Sequence, residues 1–378
     1  MTKISGIIMS FAVLFIASSI LLASVPVQAE EDTLVIYAYD SFASWGLKNA
    51  TIPQFEQRYN VHVEVRTYGD AGQVLGKAIM EKSNPQADVI IGVDNSLLQK
   101  ALDNDVFEPY TPENLSSIPE EFDFDPSHHV VPFDYGYVAL VYNKSQVQNP
   151  PQTFDDLIKP EWKDKIILED PRTSSTGMVF LLWSIAANGN EFDADYWSKL
   201  SDNALTITSG WDSAYEMFTS GEAPIVVSYA TDPAYWVEYY NDTGYGASFL
   251  KVDGKYSGYL QIEGIGLVKN AKHPDLGKKF IEFALSADFQ KEIPLTNWMF
   301  PVNPEAPLPH SFEYAVKPEK NLTIPPDLLA EKHDEWIQDW ESAVSSDSSS
   351  YGTPYPSAAW SVLAILSALL ITAGIRRK

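Results

Sequence analysis

The sequence predicts an α/β protein of two lobes joined by two chain crossings, and three features predict it. Unbroken apolar runs such as TLVIYAY (33–39) and ADVIIGV (87–93) read as strands buried on both faces, the signature of a parallel sheet covered by helices. Segments with helical spacing follow such runs. Two longer strand-like stretches, His128–Lys144 and Gly258–Asn270, flank a second α/β region of its own, as crossings between lobes would. The alternative left open by these runs is a single sheet carrying a large insertion.

In chain order, residues 1–29 combine Lys3, a long apolar run, Pro26 and the small-residue end Val27-Gln28-Ala29, the layout of a secretory signal peptide. The first lobe is expected over 30–132, from TLVIYAY, then VHVEVRTY with the helix-like GQVLGKAIMEK, then ADVIIGV with NSLLQKALDN. The second lobe is expected over 133–263, on the strands KIILED, ALTIT and APIVVSY. Residues 264–344 are expected to return to the first lobe, through an amphipathic helix over 274–293 that starts on Pro274 and a last helix over 326–344. A Ser/Pro-rich linker (345–357) then leads to the uncharged stretch 358–375, about 27 Å long as a helix and followed by Arg376, Arg377 and Lys378. This reads as a transmembrane anchor with its basic end inside. The expected location is therefore the cell membrane, with the folded part extracytoplasmic and tethered.

Composition removes several function classes. The 378 residues contain no Cys, which excludes disulfides, thiolate metal sites and a cysteine-linked lipid anchor. The formal charge is −25, and four of the 26 basic residues are Lys3, Arg376, Arg377 and Lys378, so the folded part is more acidic than the chain. Such a surface repels nucleic acid and suits a cationic ligand or simple solubility. No metal, cofactor or catalytic site is expected: the six His include the adjacent His128 and His129, which on a strand face opposite ways, and no HExxH, GxSxG or phosphate-loop pattern occurs. Five Asn-X-Ser/Thr sequons, at Asn49, Asn114, Asn143, Asn241 and Asn321, agree with surface exposure outside a cell.

The pattern that does recur is a ring beside a small or acidic residue in the turns after strands. It occurs in YAYDSFASWG (37–46), TYGDAG (67–72), TSGWDSAY (208–215), SYATDPAYW (228–236) and TNWMFPVN (296–303). Aromatic faces suit a flat or cationic ligand, and carboxylates such as Asp70 add attraction or accept from an amine. Taken singly, each ring fits a core edge equally well. In EDPRTSSTG (169–177), Ser174, Ser175 and Thr176 precede an apolar helix, which places hydroxyls and free N–H groups at a helix start: an anion site or an ordinary cap.

YAYDSFASWG, PFDYGYVALVYNK, EDPRTSSTG, GWDSAYEMF, SYATDPAYW and NWMFPVN, in this order over residues 33–345, resemble the extracytoplasmic thiamine-binding proteins of ABC importers. The resemblance implies a type II periplasmic-binding-protein fold, a monomer, thiamine or its mono- or diphosphate as ligand, and an ABC permease with ATPase subunits as partners. Carried over by position, it implies a pocket of Tyr39, Trp45, Asp70, Trp211, Tyr229, Tyr235 and Trp298, with Ser174, Ser175 and Thr176 at the phosphate end. Thiamine has a thiazolium cation, a flat aminopyrimidine and an alcohol, so rings, carboxylate and helix start each find a use. The rival ligands are ferric iron, for which Tyr239 and Tyr240 stand adjacent, and a polyamine. A tethered hydrolase is the rival from another class.

Overall fold

The computed structural model describes residues 33–345. The expected signal peptide, the linker from 346 onward and the anchor at 358–375 lie outside the described residues. Among the described residues no helix is long and apolar enough to cross a membrane.

The strands run in the order His62–Thr67, Thr33–Ala38, Val89–Asp94, Lys255–Val268, Val131–Asn143, Ile225–Tyr229, Ile166–Glu169, Thr206–Thr208. The first three are parallel to one another, as are the last three, while the two long central strands are antiparallel to each other and to their outer neighbours. These central strands, of 13 and 14 residues, are the two expected crossings. Lys255–Val268 pairs at one end with the first-lobe strand Val89–Asp94 and Val131–Asn143 at its far end with the second-lobe strand Ile225–Tyr229, and the two pair with each other between, so the chain passes between the lobes on a two-stranded ribbon. Two apolar cores lie on either side of it. One gathers Phe42, Phe55, Ile91 and Phe280, and the other gathers Leu168, Phe180, Trp183 and Trp197.

Three expectations about elements change. Val131–Asn143 is one continuous strand, although Pro132 and Gly136 suggested a break; Pro132 faces Gly264 beside a register shift between Glu263 and Gly264, where its missing N–H costs the ladder nothing. The helix expected over 274–293 ends at Leu285, because Ser286 turns to an extended backbone with ψ 153°, and short turns Ala287–Gln290 and Ile293–Thr296 follow. The last helix, Pro326–Ser345, packs on the second lobe instead of closing the first. Its stripe Trp336, Trp340 and Ala343 belongs to the second core, with Trp340 set edge-on to Trp197 at 6.2 Å.

One glycine ties the sheet to the cleft described below. Gly92 has φ +106°, and a Cβ there would stand 2.5 Å from Cδ1 of Tyr39. Gly92→Ala is therefore expected to destabilise the protein by about 1–3 kcal/mol through strain and displaced packing, and to weaken ligand binding by moving Tyr39. Thermal unfolding and calorimetric titration of the variant check both effects.

Candidate functional site

The chain ends of the strands open onto a cleft between the lobes, where ligands of α/β proteins bind. Its first-lobe wall starts with Tyr39, next after the first strand, and Trp45, which sits between the helices Asp40–Ser44 and Leu47–Tyr59. Its second-lobe wall comes from Trp211 at the start of helix Trp211–Thr219, from Tyr229 at the end of its strand, and from Tyr235 in helix Asp232–Tyr240. Trp298, in the return segment at φ +58°, closes one end, held by Thr231 Oγ1 donating to its carbonyl.

The rings make one continuous aromatic lining. Tyr229 lies 6.2 Å from Trp211, Trp211 5.5 Å from Trp45, Trp45 5.1 Å from Tyr235, and Tyr235 5.1 Å from Trp298. All four contacts are tilted or edge-on, which leaves ring faces available for a flat guest. Trp45 thus reaches across the cleft into second-lobe rings, and its Nε1 donates to Asp212 Oδ1 at 3.4 Å. Trp211 is oriented from behind: its Nε1 donates to Ser228 Oγ at 2.8 Å, and Ser228 donates in turn to Asp232.

The carboxyl groups are as telling as the rings. Asp40, Asp70, Asp212, Asp232 and Glu263 line the cleft, and among the described residues no Lys, Arg or His does. Burial pushes the Asp232 carboxyl up to about 7. It also raises Asp70, against hydrogen bonds from the Ala71 N–H and from Ser175. Glu263 stands well above the usual carboxyl range through burial and the neighbouring Asp134. Glu169, just behind, is raised by burial and then by Asp70 and Asp232. Removing water from several acids without supplying a counter-charge leaves a site that favours a positive guest.

Asp70 links the lobes. It caps helix Ala71–Glu81, accepting from Ala71 N at 2.7 Å within a capping box completed by Gln73, and it also accepts from Ser175 Oγ at 3.0 Å across the cleft. The start of helix Ser175–Ala187, expected as a possible anion site, is therefore already occupied by a carboxylate of the other lobe. Of the three residues expected there, only Ser175 reaches the cleft. Ser174 is buried and caps its own helix by accepting from Gly177 N, and the fully buried Thr176 bonds to Ser174.

The other expected residues, Tyr39, Trp45, Asp70, Trp211, Tyr229, Tyr235 and Trp298, all line this one cleft. Sequence reasoning passed over Asp212, Asp232, Asn297 and Glu263. The first three lie inside motifs already quoted for their rings. Glu263 had no local signal, because its setting comes from its place opposite Asp134 in the ladder, beside the extra residue Phe133 on the partner strand, and no pattern within its own strand shows that register. Tyr239 and Tyr240, the candidate iron ligands, both pack against Tyr235, at 5.3 and 5.9 Å, with Tyr239 also on Trp298 at 5.6 Å and Tyr240 on Trp236 at 5.3 Å.

Comparison with known proteins agrees with this architecture. The family described as bacterial extracellular solute-binding protein matches residues 44–291. The thiamine-binding periplasmic protein of Salmonella typhimurium is 37% identical over 328 residues, covering 86% of this chain and 97% of that protein. The protein of the same description from Brucella suis is 38% identical over 324 residues, covering 85% of this chain and 94% of its own. A solved periplasmic thiamin binding protein superposes with a TM-score of 0.77 at 35% identity, covering 83% of this chain and 96% of that one. The fold is thus the type II periplasmic-binding-protein fold expected. The location expected from the sequence, the cell membrane through an anchored tail, is corrected: these relatives are described as periplasmic, and among the described residues no helix is long and apolar enough to cross a membrane. By sequence and by fold, the chain belongs to the bacterial extracellular solute-binding protein family.

Proposed function

We propose that this protein captures thiamine in the cleft between its lobes and delivers it to an ABC permease. The observation that carries the reading is the lining itself, a chain of aromatic rings with five acidic residues and, among the described residues, no basic one. Thiazolium is a permanent cation, and stacked on a desolvated ring it gains about 0.5–2 kcal/mol or more beyond its apolar burial. Asp70, Asp232 and Glu263 supply the counter-charge, and their carboxyl oxygens accept from the aminopyrimidine amine. Thiamine mono- and diphosphate are the ligands to compare with it: Ser175, the one hydroxyl of the helix start that lines the cleft, already donates to Asp70, so a phosphate there has to displace that carboxylate. The relatives described as thiamine-binding cover nearly their whole length with this chain, which supports the same ligand class here.

The mechanism is capture by closure. A ligand touching Trp45 and Tyr39 on one wall and Trp211 and Tyr229 on the other binds the closed lobes better than the open ones, and shifts the population towards closure by that difference. The closed form is what a permease distinguishes from the empty one. No bond is made or broken in the cleft, and the energy for transport comes from ATPase subunits across the membrane.

Titration of residues 30–345 with thiamine, read by tryptophan fluorescence and calorimetry, tests the reading. A saturable one-to-one response is expected, and the two phosphates follow in the same assay. Tyr235→Ala and Trp298→Ala are each expected to weaken binding by about 1–3 kcal/mol, the range for losing an aromatic anchor. Unchanged affinity in both would remove the stacking model, and no response to any of the three ligands would remove thiamine.

A further inference from the structure

The two crossing strands carry a carboxyl group each at the same level of the ladder. Glu263 pairs directly with Asp134 in the antiparallel register, so both side chains leave the same face of the ribbon about 4.5–5.5 Å apart at Cβ. Asp134 is fully buried and Glu263 is 6% exposed, at the floor of the cleft. A closed network surrounds them: Tyr39 donates to Glu263 Oε2 at 2.8 Å, while Asn297 Nδ2 donates to Tyr39 at 2.9 Å and to Asp134 Oδ2 at 2.7 Å. That leaves Asp134 Oδ1, buried and without any donor. A shared proton between the two carboxyls supplies the missing donor, because two buried carboxylates so close do not both ionise.

The remaining groups acting on the pair are of the same sign. Asp94 from the third strand and Asp70 from the first-lobe helix cap both disfavour ionised Glu263, the cleft phenol Tyr229 stands near it, and among the described residues no Lys, Arg or His lines the cleft. Burial pushes Asp134 up to about 8, so the proton is held at neutral pH.

We infer that Asp134 and Glu263 form a proton-sharing pair that gives up its proton when a cation enters the cleft, so that ligand capture is coupled to proton release. The inference rests on the cationic ligand proposed above. The balance is simple: the cation enters, one carboxylic O–H ionises, the proton leaves to solvent, and the net charge of the cleft is unchanged. Since the bound form holds fewer protons than the free form, affinity rises with pH through the free pair's titration range and flattens above it.

Calorimetry of thiamine binding in two buffers of different ionisation enthalpy, from about pH 6 to about pH 9, reads the protons released, with a slope of up to roughly tenfold in affinity per pH unit for one proton. Release is expected in the wild type and lost in Asp134→Asn and Glu263→Gln, while Asp232→Asn, which removes the other carboxyl titrating near neutrality, retains it. Binding without release, or release abolished by Asp232→Asn alone, overturns the pair and leaves the thiamine reading standing. The ligand-free protein gives an independent arm: Asp134→Asn and Glu263→Gln are each expected to subtract a protonated-carboxyl component from its infrared spectrum at neutral pH, read as a wild-type-minus-variant difference because Glu169 and Asp232 contribute to the same region. No difference in either variant overturns the pair even if thiamine fails to bind, and a wild-type spectrum with no protonated-carboxyl stretch at all overturns it where neither variant folds.

Discussion

Trp45→Ala weakens thiamine binding by about 2–3 kcal/mol, or roughly 30- to 150-fold, as an expected result. The size follows from two roles in one side chain. Trp45 offers a ring face to the ligand, and it carries first-lobe contact to Trp211, Tyr215 and Tyr235 of the second lobe, at 5.5, 5.9 and 5.1 Å, with Nε1 directed to Asp212. Alanine removes both the stacking surface and part of what makes closure favourable, so the loss should exceed that of a ring serving one lobe. Trp45→Phe keeps a ring but loses the hydrogen bond and should fall between alanine and wild type. Calorimetric affinities of the three proteins check the order, and a Trp45→Ala protein with wild-type affinity would show that closure does not run through this ring.

Trp183→Ala is the substitution with the largest expected effect on stability, a loss of about 3–5 kcal/mol. Helix Ser175–Ala187 is buried from Ser175 through Ile185, and Trp183 is completely enclosed, with Phe154, Phe180 and Phe249 packed around it at 5.2, 5.9 and 6.1 Å. Truncation leaves a cavity that fixed strands on one side and aromatic neighbours on the other do not fill. Trp183→Phe should cost far less, since the ring contacts persist and the indole Nε1 has no acceptor to lose. Denaturant unfolding of the ligand-free proteins separates the two. Equal losses for Phe and Ala would mean that the pocket tolerates no repacking at all.

Much of this was legible before any coordinates. TLVIYAY and ADVIIGV became parallel strands because apolar runs without alternation are stable only when both faces are covered, and that physics is local. The ring motifs after strands marked the cleft for a related reason: turns at strand ends are where side chains are free of the ladder, and large rings there need a partner. Seven of the ring and Asp70 assignments, spread over some 260 positions, therefore converge on one cavity. The departures are equally physical. The last helix has an apolar stripe that fits either core, and only packing on Trp197 chooses the second. The terminal apolar stretch has the length of a membrane span, yet length and hydropathy describe a solvent preference, not a location, and the relatives are periplasmic.

The sharpest division falls at the helix start Ser174–Thr176 and at Glu263. Residue type alone says that hydroxyls at a helix N-terminus attract an anion; it does not say that Asp70, more than 100 residues earlier, already sits there. Likewise the pattern QIEGIG identifies a buried crossing strand but leaves its one acid unexplained. The charge state of Glu263 depends on Asp134 across the ladder, Tyr39 from the first lobe and Asn297 from the return segment, none of them a neighbour in sequence. Periodicity and turn chemistry act over a few residues and so are written in the chain. Register, burial and the summed field of distant carboxyls arise when the lobes meet, and it is these that make an aromatic cleft selective for a cation.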